Sequence, residues 1–281
     1  DIESGKKADN DTLYCIGLVC GGTKKVFINT TDHVDGAISC ANEEETIERF
    51  FATIIALDPD IITGWNVIDF DLNYLHTKSK QHKIPFCLGR SAEACKLRLE
   101  DNYMLSSKAD FPGRVVLDGI HLLEGSFIKL DDYKLNTAAT TLLGDTKLVT
   151  ATGADKYKEI DALWNKNKKK LVAYNLKDAE LVIRILEKSK VIELTIQRSI
   201  LTGMPPDRVN ASIASLDSLY IREAHKRNLV VPTGHYAERG ERIQGGYVRE
   251  SEPGIYDFML ILDFKSLYPS IIQTFNIDPL S

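Results

Sequence analysis

The spacing of apolar residues changes several times along the chain, and the changes mark out its elements. Residues 12–20, TLYCIGLVC, and 24–28, KKVFI, are dense in β-branched and aromatic side chains, with Gly21-Gly22 between them. This pattern predicts a hairpin turning at the glycine pair. With residues 1–4 it makes three consecutive strands. From about Asn42, the apolar residues Ile47, Phe50, Phe51, Ile54 and Ile55 recur on one helical face, and Glu43 to Glu45 suit that helix's positive N-terminal end. Residues 61–65, IITGW, predict a short buried strand; a second helix runs from about Asp69 to His82, before Pro85. The stretch 89–112 has no clear period and predicts irregular structure. Residues 114–118 predict a strand and 119–128 a short helix. Further helices are expected at 135–143, ended by Gly144, and at about 155–167, 169–188 and 190–202, stopped by Gly203 and Pro205-Pro206. A long helix over about 211–227 precedes a Gly- and charge-rich connector at 232–246. An apolar strand at 258–264 then turns into a helix interrupted early by Pro269.

Three strands followed by helix–strand–helix–strand–helices predict an α/β fold, a mixed sheet with helices on its faces. A second unit begins between 203 and 245. Composition agrees: 281 residues with 43% apolar and 27% charged content describe an ordinary soluble chain of one large domain or two. The formal net charge of -5 weighs against a duplex binder with a basic face, although acids gathered around a metal would themselves lower the total. Five cysteines, an odd number with no C-x-x-C pair, point to a reduced, intracellular compartment. There is no signal peptide and no apolar run long enough to span a bilayer, so no membrane partner is expected. The sequence opens directly on an acidic triplet, which suggests a piece of a longer chain.

That triplet is Asp1-Ile2-Glu3. On a strand, Asp1 and Glu3 project from one face while Ile2 turns to the other. Two carboxylates so close repel unless a cation or proton lies between them, and hard divalent ions take such oxygen ligands. Asp71 follows Phe70 at the start of a helix, where an acid is also favoured simply by the helix dipole, and Asp69 suits a cap. Tyr174 and Asp178 stand i and i+4 on one helix and share a face. Taken singly, that pair is also a half-buried Tyr beside a solvated Asp.

Taken together, Asp1-x-Glu3, Asn66-x-x-x-Phe70-Asp71 and Tyr174-x-x-x-Asp178 resemble, in order, spacing and element type, the three proofreading motifs of family B DNA polymerases. Asp263-Phe-Lys-Ser266-Leu267-Tyr268-Pro269-Ser270 matches that family's first polymerase motif, Asp-x-x-Ser-Leu-Tyr-Pro-Ser, in full. Gly245-Gly246-Tyr247-Val248 sits where the family carries a Gly-Gly-Tyr element between its two activities. The resemblance covers nearly the whole chain. It implies an RNase H-like exonuclease domain over 1–204, with a five-stranded mixed sheet flanked by helices. Residues 205–281 would be a connector and an incomplete first part of a polymerase palm.

The resemblance further implies that Asp1, Glu3, Asp71 and Asp178 hold two Mg²⁺ ions, with Mn²⁺ as a substitute, and that Tyr174 orients the attacking water. The implied reaction is removal of the 3′-terminal nucleotide from single-stranded DNA, with unpaired ends preferred because freeing them costs least. Asn66 and the Gly245-Gly246-Tyr247 element would contact DNA, single-stranded at its 3′ end or as primer–template. Asp263 would be a polymerase metal ligand, and with Ser266, Leu267 and Tyr268 would bind the deoxynucleoside triphosphate in a full-length parent only. A sliding clamp would act through absent regions, and the setting would be the bacterial cytoplasm. The family's second polymerase acid and its triphosphate-binding helix have no counterpart here, so this stretch alone is expected not to polymerise. From residue type, Phe70 is expected in the core, Asp118 in a structural role, and the Lys166, Lys168, Lys169 and Lys170 run on a solvated helix end. Tyr14, Trp65 and Tyr74 are the candidates to stack on DNA. Two other readings remain: a non-catalytic DNA-binding fragment, and a stand-alone nuclease, against which the complete DFKSLYPS element argues.

Overall fold

The computed structural model describes residues 1–5, 11–100, 107–146, 154–233 and 245–277. The chain divides into two compact units, Asp1–Leu219 and Tyr220–Ser281.

In the first unit, β1 (Ile2–Gly5), β2 (Thr12–Cys20), β3 (Thr23–Asn29) and β4 (Ile38–Cys40) form one sheet in the order β1-β2-β3-β4. β1 to β3 run antiparallel, and β4 adds parallel to β3. The expected hairpin turns at Gly21-Gly22, with Cys20 paired to Thr23. β2 is buried at six successive positions, Leu13 to Leu18, because both of its faces are covered. On one side lies α1 (Glu43–Leu57), capped by Asn42, whose side chain accepts from the Glu45 amide at 2.8 Å. Its Ile47, Phe51 and Ile54 join Ile2, Leu13, Ile16 and Leu18 in one core cluster.

β5 (Ile61–Gly64) leads through a single π-helical turn, Val67–Leu72, into α2 (Asn73–His82). β6 (Lys96–Arg98) and β7 (Lys108–Asp110) form a small antiparallel hairpin inside the stretch expected to be irregular. Three-residue strands are too short to show a period, which is why the sequence pattern hid them. β8 (Val115–Asp118) pairs parallel to β5 and passes into α3 (Gly119–Glu124). α4 (Leu135–Leu143), α5 (Ala154–Lys166), α6 (Lys168–Ser189) and α7 (Val191–Thr202) follow. α6 packs its Leu171, Val172 and Tyr174 against Tyr14, Cys15 and Ile28, covering the other face of the sheet. Its later residues Leu181, Val182 and Ile185 pack with Leu117 of β8, Leu122, Leu123 and Ala138.

The expected five-stranded sheet is instead a four-stranded sheet and a separate β5–β8 pair. The gap between them is bridged by side chains, not by a backbone ladder. Ile2 and Ile16 cluster there with Val67 and Leu72, beside a cavity of about 330 Å³ that has Asp1 and Asp71 in its lining. Mixed α/β remains the class.

Tyr14 stacks on Trp164 of α5, with ring centroids 4.4 Å apart, and donates from its hydroxyl to Asp161 Oδ1 at 2.9 Å. Gly5 makes room for it, since a Cβ there would lie 2.0 Å from the Tyr14 hydroxyl. α8 (Ser212–Lys226) crosses the boundary between the units.

Within the second unit, α9 (Leu267–Phe275) has Pro269 in its first turn, where the missing N–H breaks no helical bond. Residues 258–264 are not a strand, contrary to the apolar pattern. Phe258, Leu260, Ile261 and Leu262 are all at least 79% exposed. A strand needs a neighbour to satisfy its backbone, and the described residues of this unit offer none.

Candidate metal centre

Asp1 and Glu3 flank Ile2, which is buried in the core. Asp1 is held into the sheet by two backbone bonds with Gly17, one donated by the Gly17 N–H at 2.8 Å and one by the Asp1 amino group at 3.1 Å. Glu3 is buried, opposite Cys15 in the ladder. Asp178 comes from the middle of α6 and is 1% exposed. One carboxylate oxygen from each of Asp1, Glu3 and Asp178 lies within 4.8 Å of the other two. Three oxygen donors at that spacing suit a hard divalent cation.

Asp71 comes from the π-helical turn and lies beside Asp1. Such turns insert one residue into a helix and so re-aim its side chains. This one directs Val67, Ile68, Asp71 and Leu72 inward and leaves Asp69 and Phe70 outside. Phe70 is 42% exposed, so it is not the core residue its type suggested. Asp71 Oδ1 lies 3.9 Å from the Asp1 amino group, next to the three-acid cluster and not within it. Burial raises its pKa to about 6, opposed by the Asp1 amino group and by hydrogen bonding from its own and the Ile2 amides, and aided by the charge of Asp118. The cost of burying this charge has a testable consequence. Without a cation the proton favours the folded state, so that part of the stability is lost as pH rises through about 6. A cation must displace the proton, so its affinity rises over the same interval. Thermal melts with and without Mn²⁺ should therefore separate more at pH 7.5 than at pH 5; equal separations would contradict this.

Tyr174 is fully buried one turn before Asp178. Burial, the charges of Glu3 and Asp178, and hydrogen bonding to both carboxylates push its phenol well above the ordinary value. It therefore stays a neutral donor. Asp118, at the end of β8, accepts from the Ile120 amide at 2.9 Å and the Ile68 amide at 3.3 Å. It ties the π-helical turn, and so Asp71, to β8.

Asn66 adopts the left-handed conformation, φ 57°, at the turn out of β5, and is exposed. The three aromatics expected as candidates for DNA stacking are engaged by the protein itself: Tyr14 is buried, and Trp65 and Tyr74 are half-buried. Tyr14 lies under Trp164, the Trp65 indole donates to the Tyr133 carbonyl at 3.0 Å, and Tyr74 donates to the Asp11 carbonyl at 3.3 Å. Lys168 and Lys169 pair with Asp32 and Asp35. Two residues at the site escaped the sequence reading. Lys156 Nζ lies 3.8 Å from Glu3 Oε1 and 5.9 Å from the centre of the Tyr174 ring, and Asn175 hydrogen-bonds Asp1. Neither carries a periodic or motif signal, since Lys156 is one of several lysines on α5. In the second unit, Gly245, Gly246, Tyr247, Asp263, Ser266, Leu267 and Tyr268 are exposed.

Fold and site together define an α/β domain built on a mixed sheet, with a cluster of acids whose spacing suits a divalent cation. The model for "DNA polymerase family B, exonuclease domain" matches residues 17–138, and that for "DNA polymerase family B" matches residues 210–280. The chain belongs to the family B DNA polymerases, whose exonuclease domain is RNase H-like. It is 35% identical to DNA polymerase II of Escherichia coli over 99% of its own length and 36% of that protein. It is 30% identical to the DNA polymerase delta catalytic subunit of Dictyostelium discoideum (84% and 22%) and 31% identical to a DNA polymerase of Thermococcus litoralis (96% and 17%). The chain thus spans about a third or less of the length of these relatives. The exonuclease-domain match takes in Asp71 and Asp118; Asp1, Glu3 and Asp178 lie outside it.

Proposed function

We propose that residues 1–204 are a 3′→5′ exonuclease domain that removes the terminal nucleotide from a single-stranded DNA end, serving a DNA polymerase whose palm begins within 205–281. The observation that carries this reading is the convergence of Asp1, Glu3 and Asp178, from the first strand and a distant helix, with Asp71 buried beside them. Asp1, Glu3, Asp71 and Asp178 would hold two Mg²⁺ ions, or Mn²⁺, which when bound lower the pKa of the attacking water and stabilise charge on the attacking and leaving oxygens. The protein's own groups supply the rest. Tyr174, kept neutral, orients the water through its hydroxyl. Lys156 brings a positive charge to the edge of the acids, where the scissile phosphate must come. A cavity of about 170 Å³ opens there, lined by Glu3, Ser4, Phe70, Lys156, Tyr157 and Ile160. The exposed rings of Phe70 and Tyr157 offer faces for the terminal base.

Asp263, Ser266, Leu267 and Tyr268 are proposed as the polymerase metal and nucleotide residues, and Asn66 and Gly245-Gly246-Tyr247 as DNA contacts. The test is a 5′-labelled single-stranded oligonucleotide incubated with the protein and Mg²⁺. A ladder of shortened products that vanishes with Asp71→Ala is expected; an intact oligonucleotide with the unaltered protein would overturn the reading.

A further inference from the structure

Asn175 follows Tyr174 on α6 and is fully buried. Its amide nitrogen donates to the Asp1 main-chain carbonyl at 3.1 Å and to Asp1 Oδ2 at 2.8 Å. Both partners are acceptors only, so the nitrogen, not the oxygen, of the amide must face them. Both amide hydrogens are thereby used on one residue. The first fixes where the Asp1 backbone sits. The second fixes one oxygen of its carboxylate and leaves Oδ1 with its lone pairs for a cation. The amide oxygen lies on the opposite side, against Gly17, with no hydrogen-bond partner among the described residues. A Cβ on Gly17 would lie 2.4 Å from that oxygen and 3.1 Å from the amide carbon. Gly17 is also the residue paired with Asp1 across the ladder.

We propose that Asn175 is the positioning residue for the Asp1 carboxylate, and that Gly17 is a glycine because any side chain there would push the amide off it. The inference rests on the metal-site reading above and deepens it. Residues behind a metal ligand act by fixing its orientation, and losing one typically weakens affinity by about 10–100-fold. An alanine or serine at 175 leaves the Asp1 carboxylate unsupported, with its backbone still held by Gly17. Asn175→Asp would set a second carboxylate against it.

Mn²⁺ binding to the metal-free protein, followed by electron paramagnetic resonance of the free ion, is the direct measurement. Asn175→Ala should weaken Mn²⁺ binding by about 10–100-fold, and Asn175→Ser should behave alike should the alanine variant not fold. Gly17→Ala should weaken binding in the Asn175 protein and add much less in the Asn175→Ala background, because the clash with the amide is then gone and only the 3.2 Å approach to the residue-175 carbonyl remains. Additive losses, or affinity unchanged in the position-175 variants, would overturn the proposal. Asp178→Asn is the control for the site itself. If the unaltered protein shows no Asp178-dependent Mn²⁺ binding, the metal-site reading falls and this inference with it. If binding depends on Asp178 and not on Asn175, only the inference falls.

Discussion

Glu3→Gln lowers the rate of 3′-end removal by on the order of 10³-fold, and Tyr174→Phe by roughly 10²-fold, while only the first weakens cation binding. This is the expected result if the two residues act in the roles their surroundings suit. Glu3 is buried and shares the acid cluster with Asp1 and Asp178. Its amide analogue loses the charge that binds a cation. That cation is worth several kcal/mol of transition-state stabilisation, with each 1.36 kcal/mol a factor of ten. Tyr174 offers no charge, because burial and the neighbouring carboxylates hold its phenol protonated. Phenylalanine keeps the buried ring and removes only a hydrogen bond to the reacting water, a loss in the range measured for single transition-state donors. Single-turnover rates with a labelled oligonucleotide, paired with Mn²⁺ titrations, separate the two. Equal loss of cation affinity in both variants would refute the assignment for Tyr174.

Lys78→Ala is expected to destabilise the first unit. Lys78 is 4% exposed, and its ammonium lies 3.1 Å and 3.2 Å from the two oxygens of Glu43. It also donates to the Asp11 carbonyl. Glu43 in turn accepts from the Leu13 amide at 2.7 Å and lies 3.0 Å from His82 Nε2. Burial by itself would raise the Glu43 pKa, but His82, the Leu13 amide and Lys78 outweigh it and hold the carboxyl below 4.5. Glu43 keeps the Leu13 amide and His82, so the loss is that of a hydrogen bond to a charged group, about 1.5–3 kcal/mol. For a unit of this size that is a fall in Tm of roughly 3–12 °C, at about 2–4 °C per kcal/mol. The pH dependence has a definite sign. Because the folded pKa is depressed, this stabilisation is fully present above about 4.5 and is lost as pH falls through the folded value. Differential scanning calorimetry at pH 7 checks the first point. The gap between variant and unaltered protein should shrink in acid.

Local chemistry settles elements that need no distant partner. The hairpin turning at Gly21-Gly22, α1 with its Asn42 cap and three leading glutamates, and α4 with Gly144 in the left-handed region are each specified by contiguous residues. The acids were legible for the same reason, since Asp1-x-Glu3 and Tyr174-x-x-x-Asp178 carry strand and helix periods in their spacing. Where contacts cross the chain, the sequence alone decided less. Residues 258–264 have a strand's composition and no neighbour to pair with among the described residues, so they form no strand and stay exposed. Phe70 has a core residue's side chain, but the π-helical turn spends the inward direction on Asp71. Asn175 and Lys156 gain meaning only because α6 and α5 deliver them to a strand more than 150 residues earlier, to Asp1 and to Glu3. The sequence determined which side chains could bind a cation. Only packing of α6 across β2 and β3 decided that Asp1, Glu3 and Asp178 meet, because that meeting depends on long-range burial that no local pattern encodes.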